Sequence, residues 1–222
     1  KAKVLNKTNK AGNVLSQEVV SEGQRGKDLV LTIDAELQKK VEKIIEDEMW
    51  KAKSQYGNTA LMDRAFAIMM DPNTGEILSL AGKELIRDKK TGKLEMQDYA
   101  QGTFTTSYNV GSAVKGATIL TGYKTGAIHP GETLVDEPIK IAHTPVKKSW
   151  KTFGRISDIE ALKVSSNVYM FKTVIKIANG HYVPNQSLPI DTSAFNTIRR
   201  SFSQFGLGVR TGIDLPNEMT GF

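Results

Sequence analysis

Ser112 and Lys115 stand three residues apart in the stretch Asn109-Val110-Gly111-Ser112-Ala113-Val114-Lys115-Gly116-Ala117-Thr118-Ile119-Leu120. Residues at that spacing share one helix face, so the hydroxyl and the amine can meet. Positions 113–121 offer almost no polar side, which predicts a helix packed all round with Ser112 at its start. Burial and the positive end of a helix both disfavour an ammonium and push Lys115 toward its neutral, basic form. A neutral amine beside a hydroxyl activates a serine without histidine. The pair is the only Ser-x-x-Lys among fourteen serines. So short a motif has a plain rival, a capped core helix whose lysine reaches solvent.

A second polar cluster, Ser165-Ser166-Asn167, interrupts two apolar segments. Ser157-Asp158-Ile159-Glu160 matches a capping box, so a helix starts near Asp158 and runs through Ala161, Leu162 and Val164. The segment Val168 to Ala178 follows and stops at Asn179-Gly180. The cluster is then either a helix break that caps itself or a set of side chains presented from a helix junction into a cleft.

The elements that must position these groups are partly legible. Asp28-Leu29-Val30-Leu31-Thr32-Ile33 reads as a strand, and Asp34 as the N-cap of a helix reaching about Lys53. Leu37, Val41, Ile44, Ile45 and Met49 would form its apolar face. Ala65 to Met70 and Glu76 to Ala81 read as strands joined by the turn Asp71-Pro72-Asn73-Thr74-Gly75. That turn faintly matches a calcium loop but lacks the downstream glutamate. Residues 83–98 are charged and predict an exposed excursion, and Gly122, Gly126, Pro130 and Gly131 a loop-rich connection. A loop over 184–193 and a helix over 195–205 come later. Residues 1–26 are polar, with a hairpin turn at Lys10-Ala11-Gly12-Asn13.

Bulk composition excludes several function classes. A chain of 222 residues, 39% of them hydrophobic, supports one domain with a sizeable core and a small appendage. The net charge of +6 arises from lysines scattered among acids, without the clustered footprint that nucleic acid requires. The absence of cysteine excludes disulfides, thiolate metal sites and a cysteine nucleophile. His129, His143 and His181 have no partners at metal-ligand spacing, and no Gly-x-Ser-x-Gly elbow surrounds any serine.

Ser112-x-x-Lys115 followed by Ser165-x-Asn167 resembles the penicillin-binding protein and serine β-lactamase group. Leu31-Thr32-Ile33-Asp34 with Leu37-Gln38, Asp71-Pro72-x-Thr74-Gly75-Glu76-Ile77-Leu78, and Thr211-Gly212-Ile213-Asp214-Leu215-Pro216 narrow this. They are similar to class B penicillin-binding proteins, the monofunctional transpeptidases of peptidoglycan synthesis, most of all the elongation type of Gram-positive bacteria. The resemblance covers residues 27–222, and residues 1–26 look like the end of that family's N-terminal pedestal. Val110-Gly111 stands where the family commonly has Pro-Gly. The third family motif, Lys-Thr/Ser-Gly on a strand, does not follow Ser165-x-Asn167. Lys90-Thr91-Gly92 and Lys124-Thr125-Gly126 precede it, and Ser107-Tyr108-Asn109 mimics the second motif in the wrong place. The expectation is a transpeptidase domain cut before its third motif.

The resemblance implies an α/β (α+β) transpeptidase fold, an antiparallel sheet flanked by helices with the nucleophile helix buried between lobes. It implies Ser112 as nucleophile toward D-Ala-D-Ala stem peptides, Lys115 as base, Ser165 as proton relay, and Asn167 bonding both substrate backbone and Lys115. No cofactor or metal is implied. Implied partners are the donor and acceptor stem peptides, β-lactams, a SEDS-type glycan polymerase and elongation or division proteins. The implied location is the extracytoplasmic face of the membrane, with an upstream anchor. Its rivals are a D,D-carboxypeptidase, a β-lactam sensor and an inert fragment. A β-lactamase would need a deacylating glutamate in a suitable motif, and none is recognisable.

Overall fold

Asp34 sets the start of the longest helix, α1 (Ala35–Gln55), by accepting from the N–H groups of Glu36 and Leu37, both at 2.9 Å. The structure is a computed structural model describing residues 2–221, and the chain divides into two compact units, Lys1–Ala100 and Gln101–Phe222.

In the first unit, β1 (Lys3–Thr8) and β2 (Val14–Ser21) form an exposed antiparallel hairpin around the expected turn. Strands β3 (Arg64–Met70), β4 (Ile77–Arg87) and β5 (Leu94–Asp98) form an antiparallel sheet in the order β3-β4-β5. Ile45 and Met49 of α1 bury against Ala81 and Leu85 of β4. Ile44, expected on that face, points to solvent.

Two expectations fail here. Residues 28–33 form no strand, and Val30 is 91% exposed. The chain touches the free edge of β4 through Thr32 Oγ1 to Ile77 O (2.6 Å) and Asp34 N to Leu78 O (3.0 Å), then turns into α1 before a ladder can form. Gln38 completes the edge: its Oε1 accepts from Leu80 N and the buried Ser79 hydroxyl, while its Nε2 donates to Leu80 O and Glu42. Residues 83–98 are not an excursion but the second half of β4 plus β5, where Lys83 pairs with Glu42 at 3.2 Å. Charges on the solvated side of a sheet edge conceal a strand pattern.

The second unit contains α2 (Gly102–Thr105), a 3-10 turn (Gly111–Val114) and α3 (Lys115–Thr125). Then follow the antiparallel pair β6 (Thr133–Asp136) and β7 (Gly154–Ser157), α4 (Asp158–Lys163), α5 (Asn167–Ile177) and α6 (Ala194–Ser203). Helix α4 carries the expected capping box, Ser157 with Glu160. Ile119, Ile128, Ile156, Ala161, Tyr169 and Met170 form the core that locks α3 to α5. At Gly122 a Cβ would lie 2.6 Å from Ile128 Cγ1 and 2.8 Å from Thr173 Cγ2, so only glycine admits this approach.

The described residues therefore form an α+β fold of antiparallel sheets and helices. None of their helices is long and apolar enough to cross a membrane, and none of their acidic or histidine side chains cluster as a metal site.

Candidate active site

Ser112 lies in the 3-10 turn rather than in the helix proper, and Lys115 is the first residue of α3. Gly111 precedes Ser112 with φ +58°, a left-handed conformation that lets the chain enter the turn. The helix is not packed all round as expected: Ser112 and Leu120 are exposed, while Thr118, Ile119, Thr121 and Gly122 are buried. Lys115 is half-buried. Its ammonium is desolvated, which lowers its pKa from the ordinary 10.5. Its place at a helix N-terminus acts in the same direction.

Between α4 and α5 the chain turns sharply, and Ser165 adopts φ +54°. A non-glycine residue in that region costs roughly 1–2 kcal/mol. The turn presents both the Ser165 hydroxyl and its carbonyl to Lys115, with Nζ donating to the carbonyl oxygen at 2.7 Å and to Oγ at 2.9 Å. Ser165 Oγ in turn donates to Ser112 Oγ at 3.1 Å. Three of the four residues singled out by sequence thus form one chain of polar contacts, Lys115 to Ser165 to Ser112. Lys115 does not bond Ser112 directly.

Asn167 does not join it as expected. Its side-chain amide makes a long 3.5 Å contact to Lys148 O and none to Lys115. The lysine is held instead by the Ser165 carbonyl, which the left-handed turn swings toward it.

Beneath this turn lies a network that sequence reasoning missed. Asp136, at the end of β6 and 1% exposed, accepts through Oδ2 from Ser149 Oγ (2.7 Å) and from Ser166 Oγ. Those two hydroxyls cap α5: Ser149 accepts from the N–H groups of Asn167 (3.0 Å) and Val168 (3.1 Å), Ser166 from Tyr169 N–H (2.9 Å). From outside, Trp150 Nε1 donates to Val164 O at 2.9 Å. Only the self-capping role of Ser166 had a signal in the sequence; Asp136 and Ser149 carry no spacing that announces them.

The look-alike motifs fall away. Lys90-Thr91-Gly92 forms the turn between β4 and β5, and Lys124-Thr125-Gly126 is the C-terminus of α3, with Gly126 its left-handed cap. Neither lies on a strand.

A family model described as the penicillin binding protein transpeptidase domain matches residues 65–222. Penicillin-binding protein 2A of Bacillus subtilis is 56% identical over 223 residues, covering 100% of this chain and 31% of that protein. Penicillin-binding protein H of the same organism is 51% identical over 210 residues, covering 95% of this chain and 29% of that protein. The solved structure of penicillin-binding protein 2B from Streptococcus pneumoniae R6 superposes with a TM-score of 0.80 at 32% identity, over 100% of this chain and 36% of that one. The chain spans about a third of the length of the relatives it matches. With a family match over most of its length and the fold to accompany it, the chain belongs to the penicillin-binding protein transpeptidase family.

Proposed function

We propose that this chain carries the nucleophile and proton relay of a serine D,D-transpeptidase that cross-links peptidoglycan. The supporting observation is the continuous contact from Lys115 through Ser165 to Ser112. The Ser165 carbonyl takes one N–H of Lys115 in either protonation state. A neutral amine then keeps its lone pair for the Ser165 hydroxyl. With both hydroxyls rotated, Ser112 O–H donates to Ser165 Oγ and Ser165 O–H to Lys115 Nζ.

In this reading Ser112 Oγ attacks the carbonyl carbon between the two terminal D-alanines of a stem peptide. Its proton moves to Ser165 as the Ser165 proton moves to Lys115. The N–H of Ser112 supplies one donor to the oxyanion. On collapse the C–N bond breaks, the leaving D-alanine amine takes the proton back, and an ester on Ser112 remains. An amine of a neighbouring stem peptide attacks that ester, gives its proton to the same relay, and leaves the cross-link and a free Ser112. Asn167, held by one long contact, turns to the substrate backbone. β-Lactams enter the same way, but their leaving nitrogen stays tethered and the ester persists. The substrate carboxylate and second oxyanion donor fall to the family's Lys-Thr/Ser-Gly strand, which follows Ser165-x-Asn167 nowhere in residues 168–222.

The whole protein would act at the extracytoplasmic face of the membrane, anchored by an N-terminal segment, with a SEDS-type polymerase and elongation proteins as partners. Residues 1–26 would close a pedestal region and residues 27–222 belong to the transpeptidase domain.

Labelling the full-length protein with fluorescent penicillin, followed by peptide mass mapping, tests the reading. The label is expected on Ser112 and absent from Ser112→Ala. Undiminished labelling of Ser112→Ala would sink it.

A further inference from the structure

We propose that Asp136 is a positioning residue for the acyl-transfer relay: its buried carboxylate holds the Ser165 turn in its reactive shape. The inference rests on the role proposed for Ser165.

Asp136 places two hydroxyl donors, Ser149 and Ser166, on a single oxygen, Oδ2. Its other oxygen, Oδ1, is buried without a partner among the described residues. An unsatisfied buried acceptor is costly, so this carboxylate is not placed for its own hydrogen bonding. Helix α5 supplies part of the compensation. Ser149 and Ser166 together accept the N–H groups of Asn167, Val168 and Tyr169, the first turn of α5. The carboxylate thereby sits behind the positive end of that helix, where a negative charge is favoured.

The consequence reaches the site through one residue. Ser166 is immobilised at 0% exposure, and Ser165, next to it, is the residue with φ +54°. Left-handed backbone at a serine persists only where its surroundings over-determine it. Ser166 is fixed from below by Asp136. The loop carrying Ser149 is fixed by the Ile139–Lys147 bridge and by Trp150 on the Val164 carbonyl. If the anchor is released, the turn can relax toward an ordinary conformation. That would withdraw both the Ser165 carbonyl and hydroxyl from Lys115, the contacts at 2.7 Å and 2.9 Å.

The experiment is a double-mutant cycle on the full-length protein, reading the acylation rate constant at saturating fluorescent penicillin. Asp136→Asn, which keeps the side chain's shape, is expected to slow acylation on the order of 10- to 100-fold, the scale for a displaced catalytic group. In a Ser165→Ala background the same change is expected to slow acylation several-fold less, because the hydroxyl is already gone and only the carbonyl contact remains to be lost. Equal losses in both backgrounds would make Asp136 a general structural residue and overturn the inference. So would an Asp136→Asn protein that acylates normally while Ser165→Ala is slow. A Ser165→Ala protein that acylates like the parent would instead overturn the relay itself. Should Asp136→Asn not fold, Ser166→Ala, which removes the hydroxyl through which the carboxylate holds the turn and leaves the Asp136 contact to Ser149 in place, reads the same cycle with the same outcomes.

Discussion

Lys115 and Ser165, fifty residues apart in sequence, meet twice: Nζ lies 2.7 Å from the Ser165 carbonyl oxygen and 2.9 Å from its hydroxyl. The carbonyl fixes where the nitrogen sits, and the hydroxyl offers it a path to Ser112. An amine held this way is oriented by the protein itself.

Because burial lowers the Lys115 pKa from 10.5, acylation should rise with pH along a limb whose midpoint lies below that of an ordinary lysine. The sign follows from the role proposed for Lys115, in which the neutral amine takes the proton. Lys115→Arg, charged at all working pH values, should lose both the limb and most of the rate. Stopped-flow acylation across pH measures this; a midpoint at or above 10.5 contradicts the desolvated lysine.

Ser165→Gly removes the hydroxyl and suits the φ of +54°. The strain relieved, roughly 1–2 kcal/mol, offsets the added freedom of glycine in the unfolded chain, roughly 0.4–1 kcal/mol. The variant should melt within a few degrees of the parent while acylating about 100-fold more slowly. A large fall in Tm would mean that the hydroxyl serves stability rather than proton transfer.

Gly122→Ala should destabilise the protein by about 1–3 kcal/mol, the range for an overpacked core. Its methyl would meet Ile128 and Thr173, both fully buried and unable to retreat. Urea unfolding gives the number, and a neutral result would show that α3 and α5 can separate.

Asp158 provides an acid-stability prediction. Burial alone pushes its pKa up. Hydrogen bonds from Tyr123 O–H and the N–H groups of Gly131 and Ile159 outweigh this and hold it below 3.8. The same burial and the Asp158 contact push Tyr123 up to about 12. A carboxylate with a depressed folded pKa contributes stability above its unfolded value, and that contribution is lost as pH falls through the folded one. The parent should therefore exceed Asp158→Asn in stability at neutral pH, with the margin shrinking below about pH 4. A margin independent of pH would show that the charge does no such work.

Gln38 fills all its hydrogen-bonding capacity along the β4 edge and on Glu42. Gln38→Leu strands the buried Ser79 hydroxyl and both polar groups of Leu80, and should cost about 3 kcal/mol. Hydrogen exchange at Leu80 would report the loss locally; unchanged protection there would disprove the clamp.

The amino-acid sequence by itself determined what is local. A three-residue spacing brings Ser112 and Lys115 onto one turn, the Ser157–Glu160 box starts α4, and the turn at 71–75 pairs β3 with β4. Each follows from covalent geometry and near-neighbour hydrogen bonds, which composition and spacing encode directly. Only the tertiary structure decided what is distant. It supplied the contacts of Ser165 with Lys115 and Ser112 that the family resemblance had only implied, turned Asn167 toward Lys148, placed Asp136 beneath the turn, and left residues 28–33 beside β4 without a ladder. Those outcomes depend on how closely α3 and α5 approach and on which carbonyls remain free once helices end. They are packing results, and no spacing along the chain encodes them.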